Sequence, residues 1–288
     1  MVGRLELVMK IKITSDSTCD LSPEQIARYD IAILPLAVAM GGRDYHDGVD
    51  LTPSAIYAHV DAGGDLPQTA ANNVARYHEF WAQFREDYDA IIHLNISAEF
   101  SSCYQNACLA AEDLDNVHVV DSRNLSTGHG LLVLKAVELA EAGMDAARIA
   151  QTLREVTAKV DASFILDQLE YMKKGGRCSS VAVLGANLLK LKPCIEVKDG
   201  KMGVCKKYRG VYEKCVREYV ADRIGGREDL DLTRIFITHS GVDDAYIKAA
   251  RDTILELQPF RDICVTTAGC TVSSHCGPGT LGVLFIHK

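Results

Sequence analysis

The first half of the chain alternates short apolar runs with amphipathic stretches, and this alternation constrains the fold more than any other feature. The apolar runs predict strands at residues 10–14, 31–38, 90–94 and 117–121. Helical spacing, or a Ser-Pro or Thr-Pro pair that opens a helix, occurs at Ser22, Thr52, 73–88, 104–114, 130–142 and 145–160. Strands that alternate with helices are typical of a mostly parallel, doubly wound sheet, so we predict an α/β domain over residues 1–160.

The remaining residues, 161–288, have a different pattern. Lys192–Val197 and Met202–Lys206 flank Asp199-Gly200, and an Asp-Gly pair between two apolar runs is a strong hairpin signal. Further strands are predicted at 162–166, 235–238, 263–267 and 281–287, and helices at 181–189, 212–222 and 243–257. We therefore predict a second, α+β domain with a mainly antiparallel sheet and helices on one face.

Charge and cysteine spacing exclude several classes of partner. Lysine and arginine number 31 against 39 acidic residues, for a net charge of −8, and no more than two basic residues are consecutive. This balance argues against nucleic acid and anionic membrane surfaces. The ten cysteines form no C-x-x-C pair, and no run of 18 apolar residues occurs. We predict a cytoplasmic protein with reduced thiols, no metal site and no stable membrane insertion.

A serine-rich turn follows the predicted strand at 90–94. Ser97, Ser101 and Ser102 lie between this strand and the helix predicted at 104–114. In an open α/β sheet such turns lie at the carboxyl ends of the strands, where ligands bind. Hydroxyls and free N–H groups at a helix start together suit an oxyanion. The alternative is that Ser101 or Ser102 only caps the helix.

Two other features carry possible chemistry. Thr69 lies in a Pro/Gly-rich loop that we expect at the top of the same sheet, and His275 precedes three glycines, which bring the backbone close to a neighbour. A histidine near several hydroxyls indicates a serine hydrolase or a site that binds a carboxylate or phosphate. His275 as a structural histidine in a turn is the alternative. The phosphate-loop, dinucleotide, nucleophile-elbow and H-E-x-x-H motifs are all missing from the sequence.

Taken together, several motifs resemble those of the DegV family, bacterial fatty-acid-binding proteins of which some are the carrier subunit of fatty acid kinase. The motifs are Ser15–Leu21, Ser97–Gln105, Val120–Ser122, Leu169–Arg177, Lys192–Pro193 and His275–Gly279. They occur in the family's order and spacing from about Met9 to the end. The resemblance implies a two-domain fold with an apolar tunnel between the domains. It also implies a long-chain fatty acid such as palmitate, stearate or oleate as the ligand.

The resemblance also assigns roles to residues. Thr69 and Ser101 would donate hydrogen bonds to the ligand carboxylate, and His275 would be a third polar contact. Ser97 would orient the turn, whose Ser102 is also assigned to ligand binding. Two arginines, Arg177 and Arg209, resemble basic positions near the ligand head group and the kinase.

The resemblance implies a carrier with no catalytic residues and no cofactor, in which the long-chain fatty acid is the ligand. The partner kinase would phosphorylate the carboxylate with ATP, and the carrier would retain the acyl phosphate.

Two positions depart from the family pattern. Many members have Thr-Ser-Gln-Pro-Ser where this chain has Thr69-Ala70-Ala71-Asn72-Asn73, and Glu99 replaces a small residue in the serine turn. A carboxylate at position 99 would repel an anionic ligand unless it points to water.

Two other functions remain open on sequence grounds. One is an acyl-ester hydrolase with Ser101 or Ser97 as nucleophile and His275 as base. The second is a nucleotide-binding regulator, which only the α/β pattern supports.

Overall fold

The computed structural model describes residues 9–182 and 191–288, which form three sheets. Four parallel strands make the first sheet, in the order β2-β1-β6-β7: Ala32–Leu34 (β2), Ile11–Asp16 (β1), Ala90–Asn95 (β6) and Val117–Asp121 (β7). A three-stranded antiparallel sheet has the order β4-β3-β5: Arg43–His46 (β4), Ala37–Met40 (β3) and Gln68–Ala70 (β5). Six strands form the third sheet, β10-β9-β8-β13-β11-β12: Lys201–Arg209, Leu191–Lys198, Val160–Ile165, Thr280–His287, Leu230–Ser240 and Asp262–Thr267.

The three-stranded sheet differs from the sequence prediction. The single strand predicted at 31–38 is divided at Pro35 into β2 and β3, which belong to different sheets. A proline has no N–H for the strand ladder, so the chain can leave one sheet there and enter another. The stretches 41–48 and 63–69, which the sequence presents as turns and loop, contribute β4 and most of β5. This small sheet brings Thr69 opposite Val38.

The six-stranded sheet confirms a mainly antiparallel second sheet, in which only the pair β11–β12 is parallel. Helices lie on both of its faces, so the prediction that they cover one face is wrong. Ile237 and Val283 point towards Tyr212–Ile224 (α9) and Asp244–Leu257 (α10). Phe236 and Leu284 point the opposite way and pack with Ser126–Glu141 (α5). Eleven residues of α5 are buried because this helix packs between two sheets.

The other helices are short. They are Pro23–Arg28 (α1), Pro53–Asp61 (α2), Val74–Ala82 (α3), Cys103–Ala111 (α4), Ala146–Thr157 (α6), Glu170–Gly175 (α7), Ser179–Ala182 (α8) and Cys270–Cys276 (α11). A capping box of Ser22 and Gln25 opens α1, and proline occupies the first turn of α1 and α2 as the sequence predicts. Most of the helix predicted at 181–189 lies outside the described residues. None of the helices in the described ranges could span a membrane.

Candidate functional site

A cavity of about 420 Å³ lies between the first sheet and the elements that follow β8. Five of the seven predicted site residues line it: Thr69, Ser101, Ser102, Arg177 and His275. The structure therefore brings together side chains that lie up to 206 positions apart in the sequence. Ser97 and Arg209 are not among the described residues that line the cavity.

One side of the cavity is apolar. Its wall includes Leu36, Ile96, Phe100, Leu125, Met202 and Val272. These residues belong to a buried cluster that extends to Phe164 on β8. A smaller, almost wholly apolar cavity of about 20 Å³ lies beyond it and shares Leu125, Val272 and Cys276 as lining. Its size is near that of one water molecule, so the apolar space narrows as it enters the region between the sheets.

The polar side is formed around a hydrogen bond between Thr69 and His275. Thr69 Oγ1 lies 2.8 Å from His275 Nε2. Burial, together with the smaller effect of the positive charge on Arg177, lowers the pKa of His275 to about 4. The imidazole is therefore neutral near pH 7. When Nε2 carries the proton it donates to Thr69, and the Thr69 hydroxyl hydrogen is free to donate to an anion in the cavity.

His275 lies in the last turn of helix α11, so the alternative of a histidine in a non-helical turn is wrong. The glycines after it begin beyond the helix end, where Gly277 has φ +72° and packs against the Tyr171 ring. Thr271 lies four residues before His275 on α11 and also lines the cavity. Its buried hydroxyl has no hydrogen-bond partner within the described structure. Thr271 was not predicted from the sequence, although its i, i+4 spacing from His275 would have indicated it had the helix been recognised.

Glycine at position 175 allows the close approach of α7 to the His275 ring. A side chain at this position would place its Cβ 2.6 Å from His275 Nδ1, which no real Cβ contact allows. His275 Nδ1 itself is buried and has no partner among the described residues. The double glycine before Arg177, part of the motif quoted above, therefore has a packing role beside the site.

Two buried carboxylates from the first half of the chain hold the start of α11. Asp47 accepts hydrogen bonds from the N–H groups of Cys270 (2.6 Å) and Thr271 (3.0 Å). Asp20 accepts from the N–H of Gly269 (2.8 Å), and burial raises its pKa well above the usual range. The carboxyl oxygens thus satisfy N–H groups that a helix start leaves without an intrahelical partner. We call these two residues and Asp16 the acidic clamp.

Asp16 extends the acidic clamp to the serine turn. Its carboxylate accepts from the N–H of Thr18 (3.0 Å) and from the N–H of Ile96 (2.8 Å). Every member of the clamp thus has backbone donors, so these carboxylates position the chain. No cluster of metal-binding side chains occurs in residues 9–182 and 191–288.

The three serines of the turn have different environments. Ser101 is half-buried, lines the cavity and accepts a hydrogen bond from the N–H of Cys103 at 3.3 Å, so it also caps the start of α4. Ser102 is exposed at the cavity edge and makes no capping bond. Ser97 is buried and donates to the carbonyl of Gly200 at 2.8 Å, which ties the turn to the β9–β10 hairpin.

The charged residues lie at the cavity mouth. Arg177 is exposed and donates to the carbonyl of Gly175 at 2.7 Å. Glu99 lines the cavity but pairs with Lys201 at 3.5 Å, and both side chains reach solvent. This pairing reduces the repulsion that Glu99 would exert on an anion. Arg209 is exposed at the end of β10, away from the lining residues.

The departure at residues 70–73 has a structural account. Ala70 and Ala71 line the cavity. Asn72 is buried and donates to the carbonyl of Pro35 at 3.2 Å, and Asn73 caps α3 by accepting from Arg76 N–H at 3.0 Å. The residues after Thr69 therefore hold the loop with amide side chains in place of hydroxyls.

A second, polar cleft of about 350 Å³ lies on the other side of the Thr69–His275 pair. Thr69, Arg177 and His275 line both spaces, and Lys174 and Ser274 belong to the cleft alone. The Thr69 and His275 side chains thus separate the polar side of the cavity from a surface cleft that contains Lys174 and Arg177.

The arrangement does not suit a Ser–His hydrolase. Such a site needs a serine hydroxyl bonded to the histidine and an acid that orients the ring. His275 bonds Thr69 instead, and its second nitrogen has no partner in the described part of the chain. The site can instead bind a small anion by neutral donors, next to apolar surface.

The fold and the cavity define an α/β protein with a parallel sheet, two further sheets and a cavity that is apolar on one side and polar on the other. The family model described as "Uncharacterised protein, DegV family" matches residues 10–288. The chain belongs to the DegV family, as its sequence motifs predicted.

Individual relatives agree with this assignment. A DegV domain-containing protein of Clostridium acetobutylicum is 34% identical over 281 residues, 97% of this chain and 99% of the relative. A structure described as fatty acid binding of a DegV family protein from Thermus thermophilus has 29% identity and a TM-score of 0.88, and covers 97% of this chain and 100% of that one. A stearic-acid-binding protein from Eubacterium ventriosum has 27% identity and a TM-score of 0.81, with 96% and 98% coverage.

Proposed function

We propose that this protein binds a long-chain fatty acid, such as palmitate, stearate or oleate, with the carboxylate at Thr69, Ser101 and His275. The observation that carries the proposal is the cavity itself. Hydroxyls and a neutral histidine occupy one side, and a continuous apolar wall occupies the other. The fatty-acid-binding relatives support the same class of ligand.

The physical chemistry of the site favours this ligand. A carboxylate leaving water must regain hydrogen bonds, and the Thr69 hydroxyl and the unpartnered Thr271 hydroxyl are available as donors. The Ser101 hydroxyl donates to the Cys103 sulfur at 3.2 Å and would turn from this weak acceptor to the carboxylate. An acyl chain contributes about 0.8 kcal/mol for each buried CH₂ group. The acyl chain would extend past Leu125 and Val272 towards Phe164. There it must widen the apolar cavity of about 20 Å³.

Presentation of the acid to a kinase is the second part of the proposal. The polar cleft beyond Thr69 and His275 carries Lys174 and Arg177 and is open to solvent. A phosphoryl group transferred to the carboxylate would add negative charge, which these cations would stabilise. Under this proposal the protein is a carrier, and the kinase supplies the chemistry.

The first test is mass spectrometry of an organic extract from the freshly purified, folded protein. We expect one long-chain fatty acid per chain. An empty extract, together with no binding of added oleate or palmitate, would overturn the proposal. Turnover of a chromogenic acyl ester that Ser101→Ala abolishes would favour the hydrolase instead.

The role of Arg177 can be separated from acid binding. Because Arg177 is exposed and bonds only to the Gly175 carbonyl within the described structure, we expect Arg177→Ala to change palmitate affinity by less than about twofold (~0.4 kcal/mol). Acyl-phosphate formation with an added bacterial fatty acid kinase should fall by about tenfold or more. Arg209→Ala is the comparison, because it tests the other arginine that the family motif suggests. Loss of palmitate affinity in Arg177→Ala, with normal phosphorylation, would contradict this division.

A further inference from the structure

The β9–β10 hairpin places two of the ten cysteines side by side. Val204 pairs with Ile195 and Lys206 pairs with Cys194, so Cys205 is the extra residue of a β-bulge. At a bulge, two residues of one strand oppose a single residue of the other. Cys205 therefore lies beside Cys194.

The two cysteines differ in exposure. Cys194 is buried, with 1% of its surface exposed, and packs in the core beneath α9. Cys205 is exposed, and its Sγ lies 3.5 Å from the Cys194 carbonyl oxygen. Cys194 is paired with Lys206, and Cys205 immediately precedes Lys206 at the bulge, so the two cysteines are cross-strand neighbours. A disulfide spans Cα separations of about 4.4–6.8 Å, the scale of such neighbours. The Cys205 thiol is accessible to an oxidant in solution, whereas the Cys194 thiol is buried in the core beside it.

The electrostatics of the pair are also asymmetric. The neighbouring Cys194 thiol and the positive charge of Arg223 lower the pKa of Cys205, although burial and Glu196 oppose them. The same contact and burial raise the pKa of Cys194. Reactive cysteines are partly exposed and have a lowered pKa, because the thiolate is the nucleophile.

We propose that Cys205 and Cys194 form a peroxide-responsive dithiol site that closes to a reversible disulfide across the hairpin. The Cys205 thiolate attacks one oxygen of a hydroperoxide such as hydrogen peroxide. An S–O bond forms, the O–O bond breaks, and hydroxide leaves and takes up a proton to become water.

Cys194 then loses its proton and attacks the Cys205 sulfur. The S–S bond forms, the S–O bond breaks, and a second water molecule leaves. Two thiols are oxidised by two electrons while one peroxide is reduced to two waters. Because Cys205 is the extra residue of a bulge, the strand can adjust locally to the new bond.

The remaining cysteines in the described ranges do not share this arrangement. Cys19, Cys103, Cys178, Cys215, Cys270 and Cys276 are buried. Cys108 and Cys264 are half-buried. The Cys264 sulfur accepts a hydrogen bond from the Gln25 side-chain amide at 3.8 Å. Cys264→Ser is therefore a matched control, since it removes a partly accessible thiol that has no thiol partner among its described contacts.

The test uses intact-mass and peptide mass spectrometry of the full chain after treatment with excess hydrogen peroxide. We expect the loss of two hydrogen atoms per chain, full reversal by dithiothreitol, and one crosslinked species containing the tryptic peptides of Cys194 and Cys205. Cys264→Ser should behave like wild type, and Cys205→Ser should lose the crosslink. In Cys194→Ala, Cys205 should gain oxygen instead.

Two results would overturn the proposal. One is an unchanged mass loss in Cys205→Ser, because the disulfide would then lie elsewhere. The other is wild-type protein in which Cys205 gains oxygen without a crosslink, because Cys194 would then not reach it. The exposure of Cys205 makes the Ser variant compatible with the fold, and a thermal denaturation curve verifies this.

Discussion

The acidic clamp and the polar side of the cavity are neighbouring polar regions with opposite hydrogen-bond status. In the clamp, Asp47 has three donors within 3.0 Å: two N–H groups of α11 and the Ser17 hydroxyl. At the cavity, Thr271 Oγ1 is buried without a partner in the described structure, and the Thr69 hydroxyl hydrogen is free when His275 Nε2 donates to Thr69. The comparison indicates that satisfied carboxylates position the helix, whereas groups with spare capacity remain for a ligand.

The largest expected effect is on the clamp. Asp47→Ala leaves the N–H groups of Cys270 and Thr271 without their acceptor, and we expect the free energy of unfolding to fall by about 3 kcal/mol. The control is Asp44→Ala, an exposed residue of β4, for which we expect a change within about 0.5 kcal/mol. Chemical denaturation measures both. Equal stability of Asp47→Ala and Asp44→Ala would contradict the claim that the acidic clamp stabilises the start of α11.

The second prediction concerns the pH dependence that His275 contributes. Its folded-state pKa of about 4 lies below the value of 6.5 for an unperturbed histidine. The unfolded chain therefore binds more protons between these values, and stability is lost as the pH falls from about 6.5 towards 4. This group contributes up to about 3 kcal/mol to that loss.

The pKa of His275 can be measured directly by NMR titration. The resonance that disappears in His275→Gln identifies the ring, and we expect its midpoint near pH 4. The variant should also lose less stability than wild type over the same pH range. A midpoint near 6.5 would show that the ring is solvated. The polar side of the cavity would then not differ from the acidic clamp in the way described.

The smallest expected effect is on the ligand site, where a variant should change binding and leave the fold intact. Thr69→Val keeps the shape and removes the hydroxyl, so we expect about tenfold weaker palmitate binding (~1.4 kcal/mol). Thr69→Ser restores the hydroxyl and should restore most of the affinity. Fluorescence displacement measures binding, and thermal denaturation verifies folding. Equal affinity of the Val and Ser variants would remove Thr69 from the head-group site.

Much of the fold could be predicted from local patterns. The strands at 90–94 and 117–121 and the Asp-Gly hairpin lie where the sequence places them, because hydrophobic period and turn chemistry are local properties. Division of residues 31–38 at Pro35 was not predicted, since both halves are apolar and only the sheet partners distinguish them. The helix at 270–276 was missed because its start has no side-chain cap of its own. Asp20 and Asp47 supply its acceptors from more than 220 positions away.

The sequence by itself determined the family and the residue types of the candidate site. Thr69, Ser101 and His275 belong to motifs that can be read in order along the chain, and their hydroxyl and imidazole groups define the chemistry. Only the tertiary structure decided which of these groups meet. It joins Thr69 to His275, turns Ser97 towards Gly200, and leaves Arg209 outside the cavity. The physical reason is that hydrogen bonds and burial between distant segments depend on how the sheets and α11 pack, and no local pattern encodes that packing.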